Sequence, residues 1–279
     1  MERPFPLEWH VRAIDGRVSG RPKFQQEQRA AMWGLSDLGV SMPNIKILDN
    51  VEHHNLKVKP ERGAVFGDNV NQALVFPNEF RDLQREYPIL FRKNAEGAFQ
   101  AVALLGLDRD ENLYLDGDRW DAHYIPAVQA RGPFSIGLQR GGGASATETD
   151  AKIQIDLDNA AVNTEDGHAL FLPQGGNAPY LEYIIAVLRT LHDGVGMATV
   201  FFDALDKLKL IEPITLEIKT SETRQYTVPE VYAISEEKFQ SLPADELNKL
   251  HKSGLLAPCY WALASLDNIR QLVARKNRV

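Results

Sequence analysis

The sequence has a single cysteine, no long apolar run and no surplus of basic residues. Because Cys259 stands alone, no internal disulfide can form, and we expect a fold that does not depend on oxidation. Its apolar context, LLAPCYWALASL, predicts a buried thiol rather than a nucleophile. No apolar stretch reaches the ~20 residues that a spanning helix requires, and MERPFPLEWHVRAIDG has no apolar region after its charges. We therefore expect a cytoplasmic protein without membrane insertion.

Charge argues against one broad class of partner. The net charge is −7 and the sequence pI is about 5.6, whereas binding to DNA, RNA or anionic lipid depends on a surplus of lysine and arginine. The basic tail RQLVARKNRV is better interpreted as the end of a helix, where cations interact favourably with the dipole. We therefore expect no nucleic-acid partner.

The common motifs of catalysis and metal binding are missing. The sequence contains no HExxH, GxSxG or phosphate-loop pattern. LDRDENLYLDGDR begins like a calcium loop, but Leu113 stands where glycine is needed and Arg119 where a bidentate glutamate is needed. The 7 histidines and the acids could still form a dispersed site of two histidines and one carboxylate. We assign no catalytic or metal-binding residue and expect no cofactor, and a metal-dependent enzyme is kept as the alternative.

The chain divides into an N-terminal extension, residues 1–50, and a main domain, residues 51–279. In the extension, RPKFQQEQRAAMWGLSDLG predicts a helix over residues 22–38 that ends at Gly39. A short extended piece, NIKILD, follows, and the chain is then polar and loop-like to about residue 71.

The middle of the chain has the densest pattern of strands. LVFPNEFRDLQREYPILFRK predicts a strand, a helix and a second strand, with the helix stopped by Pro88. AFQAVALLGL and NLYLD predict two strands of one hairpin, joined by a polar turn. Two further strands and a flexible loop are predicted at FSIGLQ, KIQIDLD and RGGGASATETD.

The last third is richer in helices. PYLEYIIAVLRTLHDG and GMATVFFDALDKLKLIE each carry an apolar stripe and predict an antiparallel helical hairpin. ITLEIKTSETRQYTVPEVYAIS alternates at period two and predicts a β-hairpin. Ser235 and Pro243 begin short helices, and Pro258 leads a final helix to about Lys276. The class is therefore α+β: a mainly antiparallel sheet built from hairpins, with a helical hairpin and C-terminal helices packed on it.

The centre of the chain resembles the SapC family of bacterial proteins. The resemblance depends on FPNEFRDLQREYPILFRK and on AVALLGLDRDENLYLDGDRWDAHYIPAVQARGPFSIGL, and it extends more loosely from about residue 50 to 276. Gly132 departs from the family, in which a bulky residue is frequent at this position. The signature positions are Tyr87, Pro88, Trp120, Tyr124, Pro126, Arg131, Pro133 and Phe134.

The resemblance implies a genetic context rather than a reaction. The family is named for association with a bacterial surface layer, and many members are encoded beside flavin-dependent halogenase-like proteins, cupin-like oxygenases and TonB-dependent receptors. It supplies no set of catalytic residues. The partner implied is a polypeptide or a protein, including a halogenase-like or cupin-like enzyme encoded nearby.

The segment NLYLDGDRWDAHYIPAVQARGPF, residues 112–134, carries the candidate binding residues. In one interpretation its aromatic side chains fill the core and Arg131 satisfies buried carbonyls or an acid. In the other, its prolines hold a rigid shelf that lines a pocket, and Arg131 receives a carboxylate or peptide group. The candidate binding residues are Trp120, His123, Tyr124, Arg131 and Phe134.

Three functional hypotheses follow from the sequence. The first is a non-catalytic binding or accessory protein that recognises a polypeptide or a partner enzyme. The second is a metal-dependent peptide-modifying enzyme, such as an iron and 2-oxoglutarate-dependent oxygenase, or another enzyme with a dispersed active site. The third and weakest is a surface-layer-associated protein.

Overall fold

The computed structural model describes residues 9–13, 44–139, 150–219 and 224–278. It confirms the α+β class, since helices accompany strand pairs that are antiparallel throughout the described residues. The helix predicted over residues 22–38 and most of the predicted loop RGGGASATETD lie outside the described residues. The division into an extension and a main domain stays a prediction.

The strands are short in the first half of the chain and longer towards its end. They are β1 (Trp9–Ala13), β2 (Ile45–Ile47), β3 (Lys57–Val58), β4 (Gln72–Val75), β5 (Ile89–Lys93), β6 (Phe99–Leu104), β7 (Leu115–Asp116), β8 (Arg119–Trp120), β9 (Phe134–Gln139), β10 (Asp150–Asp156), β11 (Val162–Asn163), β12 (His168–Ala169), β13 (Ile211–Lys219) and β14 (Gln225–Ile234).

One long helix stands among several short ones. The helices are α1 (Phe80–Leu83), α2 (Ala127–Ala130), α3 (Pro179–Lys207), α4 (Glu236–Gln240), α5 (Ala244–Lys252), α6 (Leu256–Ser265) and α7 (Ile269–Lys276).

A six-stranded antiparallel sheet in the order β1-β13-β14-β5-β6-β4 organises the larger core. It includes the predicted hairpin β13–β14 and the predicted strands β4 and β5. Ile89, Leu90 and Phe91 are consecutive and all buried, so both faces of strand β5 are covered. Helix α3 covers one face through Phe201 and Phe202, and α6, with its buried Cys259, contacts β5 and β14.

A second, smaller core lies beside the first. It is built from β3, β9, β10 and the N-terminal half of α3, with Phe134 and Ile155 fully buried at its centre. Leu181, Ile184 and Leu188 of α3 pack into this core, while the C-terminal half of the same helix packs into the larger one. Helix α3 therefore joins the two cores.

The predicted helical hairpin is wrong, because residues 179–207 form one continuous helix. Gly194 was interpreted as a helix end, but it lies in the middle of α3 and is buried. A Cβ atom at Gly194 would lie 2.6 Å from Cβ and Cγ of Phe76. The glycine therefore serves close packing of the helix against the loop after β4, not a turn.

This packing predicts opposite effects for two neighbouring glycines. Gly194→Ala should lower the free energy of unfolding by about 1–3 kcal/mol, since the new methyl group overlaps Phe76. Gly196→Ala, where a Cβ meets open space, should be neutral or raise stability by up to ~1 kcal/mol through helix propensity. Urea denaturation of both variants measures the difference. Equal effects at the two positions would contradict the packing role of Gly194.

The predicted hairpin of AFQAVALLGL with NLYLD is also wrong. β6 pairs with β4 and β5, whereas Leu115–Asp116 pairs with Arg119–Trp120. The chain leaves the sheet because the Glu111 carboxylate folds back to accept hydrogen bonds from the Leu107 and Asp108 amides, at 2.9 and 3.2 Å. Residues 107–111 therefore form a compact turn and not the connection of an extended hairpin.

The final predicted helix is divided into α6 and α7 by a 3-10 turn at Leu266–Asn268. Side chains at this break are tied to the chain around β5. Ser265 Oγ accepts a hydrogen bond from the Ile89 amide at 2.9 Å, and Asn268 Nδ2 donates to the carbonyls of Gln84 and Tyr87 at 2.8 and 3.2 Å. These long-range contacts have no local signature in the sequence.

Among the described residues, α3 is the one helix long and apolar enough to span a membrane by length and composition. Its buried side chains pack into both cores, and 28 % of its most apolar stretch is buried. Cytoplasmic localisation and the absence of membrane insertion stay predictions.

Candidate functional site

The 112–134 segment is held to the larger core by hydrogen bonds that its aromatic side chains and Tyr87 donate. Trp120 Nε1 donates to Tyr87 Oη at 2.7 Å, and Tyr87 Oη donates to the Tyr124 carbonyl at 2.6 Å. The Tyr114 ring lies 4.5 Å from that of Tyr87, and its hydroxyl donates to the Glu86 carbonyl at 2.7 Å. Burial raises the pKa of both tyrosines, so they remain neutral donors.

Glu79 is a buried carboxylate that also holds the 112–134 segment in place. Its Oε1 accepts hydrogen bonds from Tyr124 Oη at 2.9 Å and from the Ala127 amide at 2.8 Å. Its Oε2 accepts from the Phe76 amide at 3.1 Å. Burial raises the pKa of Glu79, and these hydrogen bonds offset part of the effect. The carboxylate thus connects α1 to the start of α2.

The last helix supports the other side of the segment. Arg275 Nη1 donates to Asp121 Oδ2 at 2.6 Å, and its Nη2 donates to the Asp121 carbonyl at 2.8 Å. The guanidinium also lies over the Tyr114 ring, 4.5 Å from its centre. Hydrogen bonds from the residue before α1, from the chain between α1 and β5 and from α7 therefore fix the position of the segment.

The five candidate residues are close in sequence but have different surroundings. Trp120 is buried to 9 % exposure in the larger core, whereas Phe134 has no exposed surface and packs in the smaller one. Arg131 Nη1 donates to the Phe134 carbonyl at 2.7 Å, and burial lowers its pKa. The His123 side chain is 97 % exposed. Tyr124 is half-buried, with its hydroxyl on Glu79.

Trp120 belongs to a cleft of about 480 Å³ where the two cores meet, which we call the aromatic cleft. Its walls come from the loop after β3, the segment around β8, the turn before β9 and the start of α3. Trp120 is the one candidate of the five that lines this cleft. Gly132 and Pro133, which lie between the candidates Arg131 and Phe134, line it as well. The aromatic lining consists of Phe66, Trp120, His168, Tyr180 and Tyr183.

The aromatic rings of this cleft are supported from the smaller core. His168 stacks on Tyr180 with ring centres 5.0 Å apart and planes at 18°. Tyr180 also lies 6.3 Å from the buried Phe134 ring and 6.4 Å from Tyr183. Burial raises the pKa of Tyr180 to about 12 and also raises the pKa of Tyr183. Both tyrosines therefore present neutral hydroxyl groups at physiological pH.

Two of the five charged residues that line the aromatic cleft, Glu61 and Arg62, come from the loop PERG, residues 60–63, and the others are Lys59, Asp118 and Arg119. Arg62 Nη1 donates to the Gln129 carbonyl at 2.9 Å and lies 3.7 Å from the buried Asp68 carboxylate. The Arg62 amide donates to the Asp118 carbonyl at 2.9 Å, which joins two walls of the cleft. Glu61 differs from Arg62, because its Oε2 is buried and has no hydrogen-bond partner within the described residues.

A second cleft, of about 500 Å³, is lined by residues with polar side chains. It contains the candidates His123 and Tyr124. Glu86 accepts hydrogen bonds from the His123 amide at 2.9 Å and contacts its ring Nδ1 at 3.0 Å. Glu86 is thereby engaged by the backbone and ring of one residue. Arg131 and Phe134 line neither cleft.

Possible metal ligands are dispersed. Within residues 9–13, 44–139, 150–219 and 224–278, no three His, Cys, Asp or Glu side chains lie together as a metal site requires. The described chain therefore offers no preformed ligand set for the dispersed iron site considered from the sequence.

Sequence reasoning missed most of the aromatic cleft. PERG was interpreted only as part of a loop, and Tyr180 and Tyr183 lie beside the apolar stripe of α3. One signal was present, since Tyr180 and Tyr183 are three residues apart and so share a helix face outside that stripe. Nothing local links that face to Trp120, which is about sixty residues earlier.

Comparison with models of protein families gives a match. The family model described as SapC matches residues 48–272, a range that includes every residue of the aromatic cleft. Neither the comparison with curated proteins nor the comparison with solved structures gave a match.

Proposed function

Because the chain belongs to the SapC family, we propose that it is a non-catalytic binding or accessory protein whose aromatic cleft holds a segment of a polypeptide. The observation that carries the proposal is a cleft of about 480 Å³ lined by aromatic rings and lying on a rigid support. Clefts that bind small ligands have volumes of roughly 300–1,000 Å³. The cleft is within that range.

The residue types of the cleft support a polypeptide ligand. Tryptophan, tyrosine and arginine are the residues that most often dominate the binding energy of protein interfaces. Trp120, Tyr183 and Arg62 all line the cleft. Tyrosine and tryptophan offer large apolar faces together with a polar group, which suits an extended chain that has both side chains and amide groups.

Rigidity supports recognition by shape. Trp120 is fixed by its hydrogen bond to Tyr87, Tyr180 by its stacking on His168, and Arg62 by the Gln129 carbonyl. A site that is ordered before binding loses less conformational entropy when the ligand arrives. The network around the 112–134 segment therefore has a functional purpose in this proposal, which is to hold the cleft open in one shape.

The partner would be a peptide or an exposed segment of another protein. A halogenase-like or cupin-like enzyme encoded nearby is the partner that the family resemblance implies, and cytoplasmic localisation is part of the same proposal. The metal-dependent peptide-modifying enzyme gains no support from the ligand distribution in the described chain. The surface-layer role likewise has no observation in its favour.

Peptide selection with matched tyrosine variants tests the proposal. A random dodecapeptide library is selected on the full chain, and the enriched peptides are measured by fluorescence polarisation. Tyr183→Ala, which removes a cleft ring that is 46 % exposed, should weaken binding about tenfold, as expected of an aromatic residue at an interface. Tyr260→Ala removes a ring that is 56 % exposed and outside the cleft, and it should leave affinity unchanged.

Two outcomes would contradict the proposal. One is a selection that enriches no peptide, and the other is an equal response of affinity to the two tyrosine substitutions. Both tyrosines are exposed, so both variants should fold, and near-equal thermal midpoints would confirm this.

A further inference from the structure

Several hydrogen-bond donors that line the aromatic cleft have no partner within the described residues. Arg62 makes its hydrogen bond to Gln129 and its ion pair with Asp68 through Nη1, which leaves Nε and Nη2 unpaired. The hydroxyl groups of Tyr180 and Tyr183 likewise donate to no described residue. A ligand that accepts hydrogen bonds could therefore engage donors that the protein itself leaves unused.

These donors can be reached from the cleft. In the half-buried residues Arg62 and Tyr180, as the structure describes them, no side-chain nitrogen or oxygen is both without a partner and closed off from solvent. The Arg62 side chain is 18 % exposed, and Tyr183 is 46 % exposed. All three residues line the cleft. A ligand in the cleft can thus contact each of them without a rearrangement of the core.

The Arg62 guanidinium lies near both tyrosines. Burial raises the pKa of Tyr180 and of Tyr183, and the positive charge of Arg62 opposes the rise at each of them. Such an effect weakens with distance, so the charge is close to both hydroxyl groups. The two tyrosines are one turn apart at the start of α3, with ring centres 6.4 Å apart. The three side chains therefore converge on one part of the cleft.

The charges of the cleft favour an anion as the acceptor. Three cations and two acids line it: Lys59, Arg62, Arg119, Glu61 and Asp118. Asp68, whose side chain is 2 % exposed, lies against Nη1 of Arg62 and offsets part of its charge. Lys59 has no such partner within the described residues, and its charge is not offset in this way. Unpaired donors and an uncompensated cation together suit a group that is both acceptor and anion.

We propose that the aromatic cleft receives a carboxylate of the bound polypeptide, which accepts hydrogen bonds from Arg62 and from the hydroxyl groups of Tyr180 and Tyr183. An ionised carboxylate has two acceptor oxygens and makes its strongest hydrogen bonds with charged donors such as arginine. Lys59 adds positive charge on the same side. This inference rests on the proposed function and specifies its ligand, which is a segment that contains an acidic residue or ends in a free carboxyl terminus.

Peptide pools that differ in one group test the selection. Each pool is a fluorescent nonapeptide with blocked termini, random uncharged flanking residues and a central glutamate, glutamine, leucine or lysine. A further pool has central glutamine and a free carboxyl terminus. On the full chain, the glutamate pool should bind about tenfold more tightly than the glutamine pool, as expected for charge-assisted hydrogen bonds. A gain in the free-terminus pool instead would assign the carboxylate to a chain end.

The overall charge of the protein acts against the expected preference. A net charge of −7 repels acidic peptides and attracts basic ones over long distances. Tighter binding of the glutamate pool than of the lysine pool therefore comes from local contacts in the cleft.

Tyrosine variants test the hydroxyl groups without removing the rings. Tyr180→Phe and Tyr183→Phe should each reduce the preference for glutamate over leucine about threefold, as expected for one lost hydrogen bond, and leave the affinity of the leucine pool unchanged. Tyr260→Phe makes the same change on an exposed residue outside the cleft and should have no effect.

Arginine and lysine variants test the charge. Arg62→Gln should abolish the preference for the glutamate pool. Lys46→Gln removes the same charge from an exposed position outside the cleft and should leave the preference intact. Thermal midpoints of the variants show whether each is folded, and the tyrosine variants decide the question if Arg62→Gln is not.

The results distinguish this inference from the proposed function. Glutamate and free-terminus pools that bind no more tightly than the glutamine pool would overturn the inference while leaving peptide binding established. A preference for glutamate that is unchanged in both cleft tyrosine variants would overturn it as well. Binding of no pool by the wild-type chain would overturn the proposed function itself, and the inference with it.

Discussion

Replacing Glu79 with alanine is expected to lower the free energy of unfolding by about 3–5 kcal/mol, because several buried donors lose their acceptor together. These donors are the Phe76 amide, the Ala127 amide and the Tyr124 hydroxyl. Part of the loss is offset, since the variant no longer buries a carboxylate whose pKa is raised by desolvation. Urea denaturation followed by circular dichroism measures the effect.

An exposed acid provides the control for Glu79. Glu96→Ala changes a side chain in the turn between β5 and β6 and should alter the free energy of unfolding by less than about 0.5 kcal/mol. A loss at Glu79 no larger than that at Glu96 would show that the carboxylate does not hold the 112–134 segment.

The same carboxylate gives stability a pH dependence of definite sign. Burial raises the pKa of Glu79 above its ordinary 4.5 in the folded chain, so the folded chain binds this proton more tightly than the unfolded chain does. The resulting stabilisation is full below pH 4.5 and is lost as the pH rises through the raised pKa. The stability of the wild type relative to Glu79→Gln should therefore fall as the pH rises from 4 towards neutrality.

Phe201→Ala is expected to lower the free energy of unfolding by about 3–5 kcal/mol, as for other buried phenylalanines that leave a cavity. Phe201 is fully buried, and its ring makes edge-to-face contacts with Phe80, Phe91 and Phe202 at 5.8, 6.2 and 5.4 Å. Such aromatic pairs add to the free energy that area burial provides. The substitution removes all three contacts at the point where α3 meets the main sheet.

Val200 is the matched control on the same helix. It is 56 % exposed, and Val200→Ala should change the free energy of unfolding by less than about 0.5 kcal/mol. Thermal and urea unfolding of the pair would show whether Phe201 is as important as its contacts indicate. Similar midpoints for Phe201→Ala and Val200→Ala would contradict the packing described for α3.

Local sequence patterns predicted elements well where a residue and its structural cause lie close together. The strands β4 and β5 follow from short apolar runs, and β9, β10 and the hairpin β13–β14 follow from alternating apolar residues within a few positions. Burial of Cys259 follows from its apolar neighbours. These predictions required no knowledge of the partner elements.

Predictions failed where a distant contact decided the outcome. Gly194 has the same local pattern as a helix end, and its true role depends on Phe76, which is more than a hundred residues away. The break at Asn268 similarly depends on the carbonyls of Gln84 and Tyr87. Intrinsic propensities are weak compared with such packing, so one sequence does not reveal these cases.

The candidate site was predicted in part for the same reason. Trp120 carries a pattern of clustered aromatic residues and prolines, and it does line the aromatic cleft. Glu61 and Tyr183 have no such pattern, because they come from a polar loop and from a helix that meet Trp120 only in the folded chain. The binding roles of Trp120, His123, Tyr124, Arg131 and Phe134 all stay predictions.

The central claim is that the aromatic cleft is where a polypeptide binds, and fluorine NMR tests it most directly. The 8 tyrosines are replaced by 3-fluorotyrosine, and the signals of Tyr180, Tyr183 and Tyr260 are assigned with single Tyr→Phe variants. When a peptide enriched by selection is added, the signals of Tyr180 and Tyr183 should shift together to saturation, while that of Tyr260 stays in place. Saturable binding that leaves both cleft signals unmoved would contradict the account.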